Sequence, residues 1–385
     1  MISEKHLFLQ HVGQTNENPL MLEIEKAEGI YLFDKNGKKY IDLVSGVSVS
    51  NLGHCHPEII EAIKKQVENY THLMVYGEYI QSPQVNYAKT LTDLLPEKLN
   101  SVYFVNSGSE AIEGAMKLAK RYTGRTEIIA FKNAYHGSTH GALSLMSDER
   151  FKRAFRPLLP GIKFLEFNRI ADLERITTKT ACVVVEPIQA EGGIIVPDIE
   201  FHKKLREKCS NTGTLLIFDE IQTGFGRTGN LFAFEEFHVV PDIMAIAKAM
   251  GGGMPLGAFV SSKEIMWTLT NNPPLGHITT FGGHPVSAAA ALAALNIISR
   301  KGFIEEVKEK EILFREKLIH KNILEIRGKG LFLAVKLKNE EMMHKFYSLC
   351  LEEGIIFDLF LFCHDSFRIA PPLIVTNDEI EMICA

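Results

Sequence analysis

The stretch 215-LLIFDEIQTGFGRTG-229 sets four apolar residues against two adjacent acids and then a glycine-studded turn. A run that short, apolar at every position, is the form of a strand covered on both faces in a parallel sheet. The acids that close it do not belong in a core. A carboxylate at a buried strand end is costly unless a cation or hydrogen-bond donors meet it, so Asp219 requires a partner. A protonated heterocyclic nitrogen would serve, in a charge-assisted hydrogen bond contributing about 1.5–3 kcal/mol; the bland alternatives are an Asp that caps a loop or pairs with a side chain such as Arg227.

Outward from this stretch the same texture recurs at 101-SVYFVN-106, 127-EIIAF-131, 181-ACVVVE-186 and 242-DIMAIAK-248. Each run closes in residues a pure core would not select: Asn-Ser-Gly-Ser, Lys-Asn-Ala-Tyr-His, Glu-Pro, and Lys. In open α/β sheets the ligand crevice lies beyond the carboxyl ends of the strands, so five polar ends point at one place. The expected fold is α/β, a mainly parallel sheet sandwiched by helices. After about residue 286 the pattern changes to amphipathic helices over 287–300 and 303–320 and two β-like stretches, 331-LFLAVKL-337 and 367-FRIAPPLIV-375. These predict a smaller α/β domain. The hairpin 30-IYLFDKNGKKYIDL-43, turning at Asn36-Gly37, is too small to stand alone and is expected to pack on the C-terminal part. The predicted division is an N-terminal segment 1–54, a large domain 55–286 and a small domain 287–385.

Composition narrows the chemistry. The 385 residues are 46% hydrophobic and 23% charged, with a net charge of −5, the profile of an ordinary globular protein. Nothing there offers the concentrated positive face that nucleic acid or an anionic membrane requires, which favours small-molecule chemistry. The six cysteines form no CxxC pair, so neither a disulfide framework nor a zinc site is indicated, and a reducing cytoplasm is expected. The opening MISEKHLFLQ lacks the apolar stretch of a secretion signal, and the run 287–298 is too short to span a bilayer. His54-Cys55-His56 has no further ligand at metal spacing and reads as a turn before a helix over 57–66.

Two further elements complete the Asp219 reading. In 106-NSGSEAIEGAMKLAKRYTG-124, Ser107 and Glu110 stand at capping-box spacing, and Gly108 lets backbone amides approach a ligand. The helix that follows carries Ala111, Ile112, Ala115, Met116 and Ala119 inward until Gly124. Its free N–H groups and dipole make an anion site, with a phosphate as guest; the bland alternative is a capped helix with nothing bound. In 242-DIMAIAKAMGGGMPLGA-258, Lys248 closes an apolar strand before three glycines. Burial disfavours the ammonium, and an amine must lose that proton before it can attack an aldehyde; otherwise the lysine would have to snorkel to the surface. A phosphate site, an acid for a pyridine nitrogen and an imine-forming lysine are together what pyridoxal 5′-phosphate requires of a protein.

The chain resembles the class III aminotransferases, the fold-type I family of acetylornithine, ornithine and 4-aminobutyrate aminotransferases. The resemblance rests on 53-GHCHP-57, 106-NSGSEA-111, 135-YHGST-139, 186-EPIQAEGG-193, 218-FDEIQTGFGRTG-229, Lys248 with 251-GGGMPLGA-258, 277-HITTFGGHP-285 and 368-RIAPPL-373. It implies pyridoxal phosphate in Schiff-base linkage to Lys248, its phosphate on Ser107, Gly108 and Ser109. Tyr135 and Ile221 would cover the two ring faces, Asp219 would hold the ring nitrogen protonated, and Gln222 would reach the 3′-oxygen. His136, Glu186 and Glu220 are also counted at the cofactor. Thr280 would cross to the phosphate of a neighbouring subunit, which makes the active unit a homodimer. Arg368 would grip the α-carboxylate of glutamate or 2-oxoglutarate, and Glu191 would mask it when an ω-amine is accepted.

The implied activity is ping-pong transfer of an amino group from an amino acid or ω-amine to a 2-oxo acid, with 2-oxoglutarate expected. The alternatives are an aminomutase, racemase or decarboxylase on the same scaffold, a pyruvate-dependent ω-transaminase, or a non-enzymatic cofactor-binding regulator. Three positions depart from the family pattern. Ser138 stands where many members carry a substrate-binding arginine, Val47 where ornithine enzymes carry a tyrosine that meets the substrate, and His284 where an asparagine is usual. The chain also ends soon after 376-TNDE-379 opens a helix, so a few further residues are expected beyond Ala385.

Overall fold

The computed structural model describes residues 2–385. The N-terminal part forms strands β1 (Ile24–Glu28), β2 (Tyr31–Asp34) and β3 (Lys39–Asp42), antiparallel in sequence order. The β2–β3 turn forms because Asp34 Oδ1 accepts from the amides of Asn36 (2.8 Å) and Lys38 (2.9 Å) while Gly37 takes a φ of +80°, which costs glycine little.

The expected parallel runs appear as β4 (Ser101–Val105), β5 (Glu127–Phe131), β7 (Thr180–Val185), β8 (Leu215–Asp219) and β9 (Ile243–Ile246). Two strands had no clear signal in the sequence, β6 (Ile162–Leu165) and β10 (Gly257–Ser261). The seven make one sheet in the order β4-β10-β9-β8-β7-β5-β6, with β10 antiparallel to both neighbours and the other pairs parallel.

Alternating side chains feed two cores. Phe131, Val183, Val185, Leu216, Phe218 and Ile246 lie in one; Ile128, Ala130, Val184, Ile217, Ala245 and Phe259 lie in the other. Burial on both faces is why the runs are apolar at every position instead of every second one. Helix Gly108–Thr123 covers the second core, so close to β10 that a Cβ at Gly114 would fall 2.2 Å from Phe259. Helices Pro57–Asn69, Ser82–Asp93 and Pro285–Ile298 pack together on the other side.

The C-terminal part has β11 (Glu325–Lys329), β12 (Phe332–Lys336), β14 (Asp358–Leu359) and β15 (Ser366–Ile369) in the antiparallel order β11-β12-β15-β14. A further two-residue strand, β13 (Ile355–Ile356), pairs in parallel with β3 and attaches the N-terminal hairpin to this part of the chain. Arg227 is fully buried between the regions and donates to the carbonyls of Leu331 (2.9 Å) and Pro371 (2.6 Å) and to Asn51 Oδ1 (2.6 Å). Burial pulls its pKa down to about 9. Arg227 therefore ties segments of the chain together and is not the partner of Asp219.

Candidate active site

The carboxyl ends of β4, β5, β7, β8 and β9 open on one cavity of about 470 Å³. Because β10 runs the other way, the residues that precede it, Met254 to Leu256, reach the same rim. Sequence reasoning saw the glycines of that segment but not the reversal that brings it there.

At the end of β4, Ser107 caps the helix by accepting from the Glu110 amide at 3.3 Å. The return half of the expected capping box is displaced. Glu110 Oε2 accepts from the backbone (2.6 Å) and the side chain (2.9 Å) of Asn106 instead of from the Ser107 amide. The first-turn amides of Gly108 and Ser109 belong to the group a helix cannot satisfy internally, and the dipole adds positive potential there. A Cβ at Gly108 would sit 2.9 Å from Ile221 Cδ1, so glycine is what lets this turn approach the β8 loop. At the end of β5, Gly137 (φ +128°) leaves no room for a Cβ against Ser109 Oγ, which accepts from the Ser138 amide at 3.3 Å.

Asp219 is buried, and its partner is His136: Nδ1 lies 2.7 Å from Oδ2, while Oδ1 accepts from the Ile221 amide at 3.1 Å. Burial works against the imidazolium, but Asp219 and then Glu186 outweigh it and hold the His136 pKa above the ordinary value. Glu186 accepts from the Ala190 amide at 3.0 Å. Burial pushes its carboxyl up to about 7, with Asp219 and Glu191 adding to the rise and His136 opposing it.

Glu220 turns away from the cavity. Its carboxylate accepts from the amides of Phe234 (2.7 Å) and Ala233 (3.1 Å) and from the Thr223 hydroxyl, and burial raises its pKa to about 7. The cause is strand geometry, which sends neighbouring side chains to opposite faces, so Asp219 and Glu220 cannot both face one pocket. The sequence reading grouped Glu220 with the cofactor residues; its hydrogen bonds place it against 233–234 instead.

Lys248 departs from expectation in its backbone. The strand ends at Ile246, and Lys248 takes a φ of +51° at the start of a single turn, Lys248–Gly251. A left-handed non-glycine residue costs about 1–2 kcal/mol and is uncommon outside sites that require it. Its amine lines the cavity. Burial first and the Arg368 charge second lower its pKa to about 8, against Glu191, Asp219 and Glu186.

A second polar centre lies on the C-terminal sheet. Arg368, 1% exposed, donates through Nη2 to Glu191 Oε1 at 2.5 Å, and its guanidinium lies 4.8 Å from the Phe360 ring centre. Glu191 Oε2 accepts from the Leu361 amide at 3.1 Å. Asp358 stands opposite Arg368 in the β14–β15 register, its Oδ2 3.7 Å from Nη1. Sequence reasoning missed Asp358; the available signal was one acid in the apolar run 355-IIFDLFLF-362.

Three other positions lie outside the cavity lining. Val47 (φ +63°) sits in a left-handed turn over 45–48, and its neighbour Val49 lines the cavity instead. Asp42 holds that turn by accepting from the amides of Val44 (2.8 Å) and Ser45 (2.9 Å), while its other oxygen pairs with His54 Nε2 at 2.8 Å. Thr280 is exposed, next to Thr279, whose hydroxyl accepts from Asn106 Nδ2 at 2.9 Å. His284 stacks on His72, with ring centres 5.3 Å apart.

The donor set fits pyridoxal phosphate. Gln222 Nε2, His136 Nε2 and Glu186 Oε2 are buried without protein partners, and all three residues line the cavity with Lys248. Buried polar atoms of this kind are otherwise rare and costly. The anion-ready helix end, the buried acid and the amine surround one space.

Residues 12–385 match the family model described as aminotransferase class-III. The chain is 40% identical to the acetylornithine aminotransferase of Caldanaerobacter subterraneus, over 95% of this chain and 93% of that one. It is 40% identical to the Methanocaldococcus jannaschii acetylornithine aminotransferase, over 99% and 94%. Among solved structures it resembles the ornithine aminotransferase of Toxoplasma gondii (TM-score 0.91, 29% identity, 100% and 94% covered). It also resembles an (S)-enantioselective omega-transaminase from Thermomicrobium roseum (TM-score 0.90, 28% identity, 100% and 97% covered).

Proposed function

The chain belongs to the class III aminotransferases, pyridoxal-phosphate-dependent enzymes, and on that premise we propose that it moves the terminal amino group of an ω-amine donor to 2-oxoglutarate. The observation that carries this reading is the buried Glu191–Arg368 pair, 2.5 Å long and close enough for its charges to act on Lys248. Arg368 suits a bidentate grip on an α-carboxylate, and Glu191 covers it when the donor carries none beside its amine.

The amides of Gly108 and Ser109, with the Ser107 cap, would hold the cofactor phosphate. Tyr135 and Ile221 would enclose the ring, Gln222 Nε2 would meet the ring oxygen, and Asp219, oriented by His136, would meet the ring nitrogen. Bound there, pyridoxal phosphate supplies the electron sink for the bond broken at the amine carbon. With its pKa near 8, Lys248 Nζ takes a proton from the amine-bearing carbon of the donor and returns one to the acceptor carbon in the second half-reaction.

Ser138, hydrogen-bonded to the Tyr135 hydroxyl at 3.1 Å, offers no charge for a distal carboxylate. We take the donor's far end to be held by contacts weaker than an ion pair. The cofactor domain runs from about 55 through the helix Pro285–Ile298, which packs on helices Pro57–Asn69 and Ser82–Asp93, so the expected boundary at 286 moves to the end of that helix; the β3–β13 pairing supports joining the N-terminal hairpin to the smaller unit that follows. A homodimer is supported by the exposed apolar Ile278 and Phe281 beside Thr280 and by exposed Tyr79, which lines a surface pocket with Thr279 and Gly282. The unpaired cysteines suit the cytoplasm.

The test is a half-reaction on purified holoenzyme with glutamate and with N-acetylornithine, followed by the loss of the cofactor aldehyde absorbance. Both donors are expected to react, and 2-oxoglutarate to restore the spectrum. Restoration by pyruvate alone would sink the Glu191–Arg368 reading, and product formed without any 2-oxo acid would indicate a mutase, racemase or decarboxylase.

A further inference from the structure

We infer that Asp358 is a second acid over Arg368 and that it sets the preference between α-carboxylate and ω-amine substrates. The inference rests on the reading of Arg368 as the α-carboxylate grip. One guanidinium there faces two carboxylates. Glu191 is hydrogen-bonded to Nη2, whereas Asp358 Oδ2 lies 3.7 Å from Nη1, close enough for charge but too long for a hydrogen bond. Arg368 Nη1 and Nε are buried without an acceptor, so the guanidinium keeps an open edge.

Asp358 is placed to act on that edge. It stands directly opposite Arg368 in the β14–β15 ladder, where facing side chains come within reach of one another. Its side chain is 34% exposed against 1% for Arg368, and its Oδ1 accepts only from the adjacent Leu359 amide at 2.9 Å. Asp358 is therefore not locked in place, unlike Glu191, which a backbone amide and the arginine hold at both oxygens. The two acids also oppose each other. Burial pushes the Asp358 carboxyl up and Glu191 adds to the rise, while Arg368 opposes it.

An incoming α-carboxylate must displace Glu191 and also approach a cation whose charge Asp358 already offsets. A donor with no carboxylate beside its amine meets neither obstacle. Asp358 thereby biases the site toward ω-amines beyond what a single masking acid does, and it is a specificity-determining residue that acts through Arg368.

The experiment uses holoenzyme and two readouts: calorimetric binding of glutarate, an unreactive dicarboxylate, and the ratio of kcat/KM for the glutamate and N-acetylornithine half-reactions. Asp358→Asn is expected to bind glutarate about fivefold tighter and to shift the ratio about fivefold toward glutamate, the size of one partly exposed charge pair near 4 Å. Asp358→Glu, whose longer arm can reach Nη1, is expected to move both readouts the other way. Asp358→Ser removes the same charge should the Asn variant fail to fold. Glutarate affinity and ratio unchanged in the Asn or Ser variant, or both half-reactions falling together, would overturn the role of Asp358. Arg368→Lys separates that failure from failure of the parent reading. If the lysine variant binds glutarate as tightly as the unaltered enzyme, Arg368 is not the grip and the inference about Asp358 falls with it; if binding weakens at least about tenfold, only the Asp358 results decide.

Discussion

The two polar centres of this chain are built on opposite plans. Around Asp219 and Lys248, the polar groups come from successive ends of one sheet, and several buried atoms lack protein partners: His136 Nε2, Glu186 Oε2 and Gln222 Nε2. Around Arg368, the groups come from a loop and an antiparallel sheet, and Glu191 already covers one side of the guanidinium while Nε and Nη1 keep an open edge. On the function proposed above, the first centre receives something that stays and the second exchanges one carboxylate for another. A permanent guest rewards fixed, unsatisfied donors, whereas alternating guests require an internal group that covers the charge between visits.

The largest effect should come from the centre that holds. Lys248→Met removes the only lysine among the described residues that line the cavity, and turnover is expected to fall at least about 10⁴-fold, together with loss of the covalently bound cofactor spectrum. Retained turnover would refute the mechanism. Asp219→Asn keeps the shape but loses the charge proposed to meet the ring nitrogen. Its kcat should drop about 10²–10³-fold, measured against cofactor occupancy in the same preparation.

In the cofactor-free protein the same lysine leaves a signature in stability. Its folded pKa of about 8 lies below the ordinary 10.5, so the unfolded chain binds more protons between those values. The penalty is then fully present below pH 8 and is relieved as pH rises to about 10.5. Apo Lys248→Met should exceed the apo parent by up to about 3 kcal/mol at pH 7, with the gap closing by about pH 10.5 in denaturant titrations.

Smaller effects belong to the centre that switches. Glu191→Gln should tilt the ratio of kcat/KM values about tenfold from N-acetylornithine toward glutamate with little change in cofactor binding; a change in cofactor affinity instead would merge the two centres into one. The smallest effect is expected from Ser138→Arg. A new guanidinium at the mouth should lower KM about threefold for donors with a distal carboxylate and leave 1-aminoalkanes unaffected, read from initial rates.

The first centre was legible in the sequence and the second only in part, for a structural reason. Asp219, Glu186 and Lys248 each follow an apolar run, and parallel strands deliver their carboxyl ends to the same edge. Glu220 misled because adjacency in sequence means opposite faces on a strand. The Ser107–Glu110 spacing predicted a helix start correctly, yet Asn106 took the returning hydrogen bond. Asp358 stayed hidden because β14 is two residues long and carries no periodicity of its own.

Composition, apolar runs and motif spacing by themselves determined the α/β class, the parallel texture of the sheet and the capped helix start at Ser107, and they pointed to the chemistry proposed at Lys248, since these depend on short-range preferences and on which face is buried. The tertiary structure alone decided the reversed β10, the left-handed φ of Lys248, the use of Arg227 as a tie between distant segments, and the meeting of Asp358 with Arg368 and its expected partner Glu191. Those outcomes depend on contacts between residues up to 177 positions apart, and no local pattern encodes which distant segments a fold will bring together.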